Sequence, residues 1–363
     1  MSSIYGILGI SDSDRVFLST LGQTVVLDAI NQYLTQVNAD VEAAYGVFVE
    51  RVTEDHKIRY KLPGGGRMQR GGFTPQGRPG AVKVTGEWDV AFPLESMQDA
   101  MGGDRVSLAY MTAQDLERHL STIRTRYINT RRFEMIKALV NNTARPFTDP
   151  LWGVLSVQPG ANGDSVLYPP VIGSENEATE NHYIETNYAV SAISDTNNPA
   201  ATAANELEEH FGAPTSGSNI VKFAGKTLAD KIAATLTEFV SVDDMGIKPG
   251  DDTATVINTP RGIPGRLRGR CSESGVWLAE WRWVPDNYDI NVHLDAPAPL
   301  LERVDPTYTN LPRGLNLIAR EENLPFETSY YDARFGFGAG NRLNVVVLEY
   351  GTGGSYTIPT GYS

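Results

Sequence analysis

Hydrophobic and polar residues alternate in two stretches on either side of a glycine-rich segment. Residues 56–62 place Ile58, Tyr60 and Leu62 on one side, and residues 81–90 repeat the pattern with Val82, Val84, Trp88 and Val90. A period of two marks a strand. The intervening 63–80, PGGGRMQRGGFTPQGRPG, holds too much Gly and Pro for a regular element. Together they predict a long β-hairpin of about ten residues per leg with a flexible tip. A two-stranded ribbon is marginal by itself in water, so a second copy of the chain is expected to hold it.

A helical period follows. Leu116, Leu120, Ile123 and Tyr127 recur at steps of four, three and four, and the seam continues through Met135, Ile136, Leu139 and Val140. Thr112 is a predicted N-cap with Asp115 three residues on, and Arg145-Pro146 closes the run. About 30 residues at ~1.5 Å each make a rod of about 45 Å. Arg118, Arg124, Arg126, Arg131, Arg132 and Lys137 are expected on its other face. Further on, 151–157 reads as a strand, 200–211 as a helix, 220–223 as a strand and 227–240 as a helix with Leu228, Ile232, Leu236 and Phe239 inward. In 276–283 the period of two puts Trp277, Trp281 and Trp283 on one strand face, expected as core together with Leu116, Leu120 and Ile123. The last strand-like run, Val345 to Leu348, is far shorter than the ~20 apolar residues of a membrane helix.

Composition sharpens this picture. The chain has 363 residues, with 35 Gly and 21 Pro, which points to many turns. Thirty-one basic residues against 44 acidic ones leave a net charge of −13. That excludes a protein dedicated to coating a phosphate backbone. The charge is unevenly spread. Residues 51–83 hold eight basic groups against two acids, a net of +6, while 146–260 hold four lysines against sixteen acids, a net of −12. The plain reading is two solvated surfaces of opposite sign. The sharper one is complementarity between copies, with Arg59, Lys61, Arg67, Arg70 and Arg78 as the arm's contact residues. The start, MSSIYGILGISDSD, has no basic leader.

Chemistry is sparse. Ala224-Gly225-Lys226-Thr227 before a helix lacks the first glycine of a phosphate loop, since position 220 is Ile. The histidines His56, His119, His182, His210 and His293 are scattered, with no pair four apart, and no metal ligand set is expected. Asp243-Asp244 and Asp251-Asp252 lack EF-hand spacing. Cys271, the single cysteine, excludes an internal disulfide and is read as a bystander despite Arg270 beside it. Asn141-Asn142-Thr143 forms a sequon without a secretory signal. No catalytic constellation stands out and no cofactor is implied. The unusual features are mechanical: an arm, a rod, and opposite charges on separate parts.

That order of parts resembles the major capsid protein of tailed bacteriophages, the Hong Kong 97-type fold. The wording is similar in Trp281-Arg282-Trp283-Val284-Pro285, His293-Leu294-Asp295-Ala296-Pro297, Arg303-Val304-Asp305-Pro306, Leu311-Pro312-Arg313-Gly314-Leu315, Pro325-Phe326-Glu327 and the run from Arg334-Phe335-Gly336 through Asn341-Arg342-Leu343-Asn344. The resemblance covers nearly the whole chain by layout but only about 280–350 by wording.

The resemblance implies an α+β fold. Its parts would be an N-terminal arm (1–50), an extended β-hairpin loop (51–95), a peripheral domain on a long spine helix (96–155 and 312–350), an axial domain (156–311) and a C-terminal tail (351–363). It implies a structural, non-enzymatic subunit that assembles as pentamers and hexamers into an icosahedral shell around double-stranded DNA. The partners implied are a separate scaffolding protein, a portal and, in some members, a cement or decoration protein. Contact with packaged DNA would be non-specific, no membrane is involved, and the location is the virion, assembled in the bacterial cytoplasm. Some members crosslink a loop lysine to an asparagine of a neighbour. Lys57, Lys61 and Lys83 lie in the corresponding loop, and nothing in the sequence identifies a partner asparagine. Other readings stay open: an encapsulin-like nanocompartment shell, a β-rich carbohydrate-active protein, and a tail or decoration protein.

Overall fold

A computed structural model describes residues 23–62, 86–104, 110–211, 219–242, 260, 262–323 and 326–363. The chain divides into two compact units. Met1–Ala43, Leu94–Glu134 and Val304–Gly336 form one, and Ala44–Pro93, Met135–Arg303 and Phe337–Ser363 form the other. The boundary expected at 155 falls inside the second unit.

The first unit is built on helix α1 (Gln23–Tyr45), the first part of helix α2 (Ala113–Val140), strands β4 (Glu95–Asp104), β14 (Leu315–Asn323) and β15 (Phe326–Ala339), and a short α5 (Pro306–Thr309). Inside α1, Ile30, Leu34, Val37 and Val41 are buried at steps of four, three and four. This helix lies within the span 1–50 expected as the N-terminal arm. At the start of α2 the Thr112 hydroxyl accepts from the Asp115 amide at 3.2 Å, and the Asp115 carboxylate accepts from the Thr112 amide at 3.1 Å. This reciprocal box satisfies donors that the first turn leaves unpaired. The helix then runs for 28 residues.

Leu116, Leu120, Ile123 and Tyr127 are buried along it, and Tyr127 meets Phe335 edge to face. The face expected to be basic is only partly so. Arg126 reaches Asp99 at 2.8 Å, Arg124 lies 4.0 Å from Asp40, and Arg131 is buried with its guanidinium 5.4 Å from the Phe335 ring centroid. Arg131 spends its charge on an aromatic face rather than on solvent. Strand β15 pairs antiparallel with β4, from Phe326↔Asp104 to Phe335↔Glu95, and also with β14.

In the second unit, β1 (Val49–Thr53) runs parallel to β13 (Leu300–Arg303). Two hairpins are formed by β2 (Lys57–Lys61) with β3 (Glu87–Ala91) and by β5 (Arg145–Asp149) with β6 (Gly153–Val157). A seven-stranded mixed sheet has the order β7-β16-β12-β8-β11-β10-β9, with β7 Tyr183–Glu185, β8 Ile220–Ala224, β9 Phe239–Ser241, β10 Arg266–Cys271, β11 Trp277–Glu280, β12 Tyr288–His293 and β16 Val346–Glu349. Helices α3 (Pro199–Phe211) and α4 (Lys226–Thr235) cover one face, through Ala200, Ala203, Ala204, Leu207, Leu228 and Ile232 against Leu278, Val346 and Leu348. Strand β8, buried at every position, is apolar apart from Lys222, as a strand covered on both faces must be. Lys222 is tolerated because its Nζ donates to Asp289 at 2.7 Å.

Two sequence expectations are corrected here. The helix expected over 227–240 stops at Thr235; Leu236 turns extended, and Phe239–Ser241 pairs with β10 instead. Strand β11 ends at Glu280, so the three tryptophans do not share a strand. The Trp281 amide bonds the Ala224 carbonyl and its own carbonyl takes the Val284 amide, which closes a turn. Trp277 and Trp281 are buried, at 2% and 4% exposed, whereas Trp283 is 42% exposed and is not core. Trp281 stacks on Phe48 at 5.6 Å and meets Phe223 edge to face at 5.9 Å.

Candidate subunit-contact site

The hairpin stem carries the described part of the predicted contact set. In the β2–β3 register, Arg59 faces Asp89 and Lys61 faces Glu87. Arg59 Nε lies 3.0 Å from Asp89 and its NH1 3.5 Å from Glu87, while Lys61 Nζ lies 3.8 Å from Glu87. These exposed cross-strand pairs are worth little individually, but they cancel the stem's charge locally. The basic excess counted over 51–83 stops just short of Glu87 and Asp89, its structural counterweights. Arg67, Arg70, Arg78 and Lys83 lie outside the described residues. Lys57 sits with its ammonium 4.1 Å from the Trp152 ring centroid, a cation–π contact.

The stem is rooted in a buried charge cluster. His56, next to β2, has Nδ1 2.6 Å from Asp149 Oδ2, and Arg303 NH1 donates to the same oxygen at 3.1 Å. The other Asp149 oxygen accepts the Leu151 and Trp152 amides at 2.9 and 3.1 Å. Burial by itself would raise the Asp149 carboxyl; the bonds from His56, the two amides and Arg303 outweigh it and hold the group at about 2. Arg303 NH1 also donates to the Phe92 carbonyl at 3.1 Å, tying β13 to the end of the hairpin. The apolar side of the stem packs inward: Trp88 stacks on Tyr60 at 5.5 Å and donates its indole N–H to the Gly340 carbonyl at 2.9 Å. At the turn between β5 and β6, Leu151, Trp152 and Val154 are exposed, forming a compact apolar tip beside the stem.

The segments that carry the family resemblance perform structural work. Asn341 and Asn344 each donate to the Pro297 carbonyl, at 2.8 and 2.9 Å, so the runs 293–297 and 334–344 meet in space. Arg342, 1% exposed, bonds the Pro159 and Gly160 carbonyls and reaches Asp164 at 2.7 Å. A Cβ on Gly340 would stand 2.6 Å from Leu301 Cγ, so only glycine lets β13 approach there. In the first unit Asn38 clamps Leu315 through both backbone groups, at 2.9 and 3.1 Å. Gly314, at φ +98°, makes room for that amide side chain.

The structure places several other sequence candidates as follows. Lys226 is ion-paired with Asp230 one turn on, and the crevice at Gly225, Thr227 and Leu228 is lined by Asp286, the wrong sign for a phosphate. Cys271 is buried, and desolvation together with Glu238 pushes its thiol up to about 12, which disfavours the thiolate. Asn141 is buried and donates to the Tyr362 carbonyl at 3.0 Å. Asp243, Asp244, Asp251 and Asp252 lie outside the described residues. Among the described residues no helix is long and apolar enough to cross a membrane.

No protein-family model matches the chain, and no curated protein does either. Solved structures do. A chain from Mycobacterium phage Patience superposes with a TM-score of 0.65 at 16% identity, covering 100% of this chain and 99% of its own. A chain from the asymmetric unit of the bacteriophage PhiM1 mature capsid matches with a TM-score of 0.50 at 9% identity, over 84% of this chain and 86% of its own. At these identities the likeness is one of fold: the chain has the α+β capsid fold that its layout resembles.

Proposed function

We propose that this chain is the major capsid protein of a tailed bacteriophage, a subunit that assembles as pentamers and hexamers into an icosahedral shell around double-stranded DNA. One observation carries the reading. A phage chain superposes on this one over 100% of this chain and 99% of its own, with a TM-score of 0.65. The mature-capsid likeness adds the setting. The side-chain chemistry agrees with a mechanical role. Polar side chains of 334–344 are spent on buried backbone carbonyls, and the single thiol is buried and raised.

In this role a firmly rooted stem, with Arg59 and Lys61 paired to Asp89 and Glu87, carries a basic glycine-rich segment onto the acidic surface of a neighbouring copy. Arg67, Arg70 and Arg78 at the tip make the contact, with Arg59 and Lys61 stiffening its base. The apolar tip of Leu151, Trp152 and Val154 supplies area that association can bury. A separate scaffolding protein, a portal and a cement protein would be its partners, and contact with the packaged DNA would be non-specific, as the net charge of −13 favours. Electron microscopy of the expressed protein, with and without its phage's scaffolding protein, tests the reading. Closed shells containing nucleic acid are expected in infected cells. Shells loaded with a protein cargo would mean a nanocompartment, and a chain that stays monomeric throughout would overturn the proposal.

A further inference from the structure

Two of the scattered histidines meet in the second unit. His182 precedes β7 and His210 lies in the last turn of α3, and their ring centroids are 5.3 Å apart. His182 is fully buried, and its Nδ1 lies 3.2 Å from the Val345 carbonyl oxygen. A carbonyl only accepts, so the proton sits on Nδ1 and Nε2 is left with a bare lone pair. That Nε2 is buried with no hydrogen-bond partner, and so is His210 Nε2. An orphaned buried ring nitrogen is costly in a folded protein. Glu209 brings a carboxylate oxygen to 3.5 Å from His210 Nε2. One ligand atom from each of His182, Glu209 and His210 falls within 4.8 Å of the other two.

We propose that His182, His210 and Glu209 form a binding site for a borderline divalent metal ion, zinc above all. Two imidazole nitrogens and a carboxylate are a donor set that suits zinc, nickel or cobalt rather than calcium or magnesium. Tetrahedral ligand atoms about 2.0–2.1 Å from zinc lie about 3.4 Å from one another. The Glu209–His210 pair is at that spacing already, and Glu209 is exposed enough to shift. The Nδ1–H···O=C bond of His182 is the outer contact that fixes a ligating imidazole's tautomer. A water could take the fourth position. A metal here would pin the end of α3 to the β7–β16 edge of the sheet. This inference is independent of the capsid reading.

The test uses the full chain without a histidine tag, stripped with a chelator and then dialysed against zinc or cobalt(II). The wild type is expected to keep one equivalent of zinc by elemental analysis. It should give the visible absorption of four-coordinate cobalt(II) and melt at a higher temperature with zinc than with chelator. Glu209→Gln, at a half-exposed position that leaves folding intact, and His210→Asn are each expected to weaken zinc binding by at least about tenfold. Wild-type protein that retains no zinc and shows no cobalt spectrum overturns the proposal. Equal binding by wild type and both variants also overturns it.

Discussion

Trp281 is packed against three rings, those of Phe48, Phe223 and Tyr45. Trp281→Ala should destabilise the protein by roughly 3–5 kcal/mol, read by denaturant melts, since it removes a buried indole. Trp283→Ala, at the exposed end of the same turn, should cost a small fraction of that. Asp149 is the second such residue. Its carboxyl is held at about 2 against an ordinary 3.8. The folded state therefore binds the proton less readily than the unfolded one. The resulting stability is present in full above the ordinary value and is lost as pH falls towards about 2. Asp149→Asn should lower stability at neutral pH and flatten that acid limb. An unchanged acid limb in the mutant would mean that the His56–Arg303 cluster does not root the stem.

Helix α2 and the β2–β3 stem are the two elements that give the molecule its mechanical character, and each depends on a local pairing. Thr112 and Asp115 close one box, so Thr112→Ala and Asp115→Ala should each lower the melting temperature, with the double mutant falling short of the sum. Strict additivity would show that the two side chains do not act together. On the stem, Glu87→Lys with Asp89→Lys places like charges opposite Lys61 and Arg59. Backbone amides of the stem should then exchange faster with solvent. The rooted end, held by Trp88 to Gly340 and Arg303 to Phe92, should keep its protection.

For the whole molecule the expected consequence is assembly. Reversing Arg67, Arg70 and Arg78 to Glu should abolish or deform shells while the isolated chain melts at its usual temperature. Normal particles from that mutant would sink the arm-on-neighbour contact. Raising ionic strength should weaken the same contact, because opposite charges on solvated surfaces are screened within about 10 Å at 0.1 M salt.

Local periodicity and turn chemistry alone foretold α2 with its Thr112–Asp115 box, the alternation that makes β2 and β3, and the helix ending at Phe211. These features are set by residues a few positions apart, which is why they are legible one window at a time. The same logic could have found α1, whose seam of Ile30, Leu34, Val37 and Val41 is equally regular. It failed where a distant partner decides. Trp283 keeps the strand period past the end of β11, because a turn bonded to Ala224 ends the strand. Arg131 is buried on Phe335, about 200 residues away in the chain, which no helical wheel can register. The His56–Asp149–Arg303 cluster and the His182–His210 pair join segments far apart in sequence. Their chemistry exists only because β-pairing and helix packing bring ordinary residues within a few ångströms and remove the water between them.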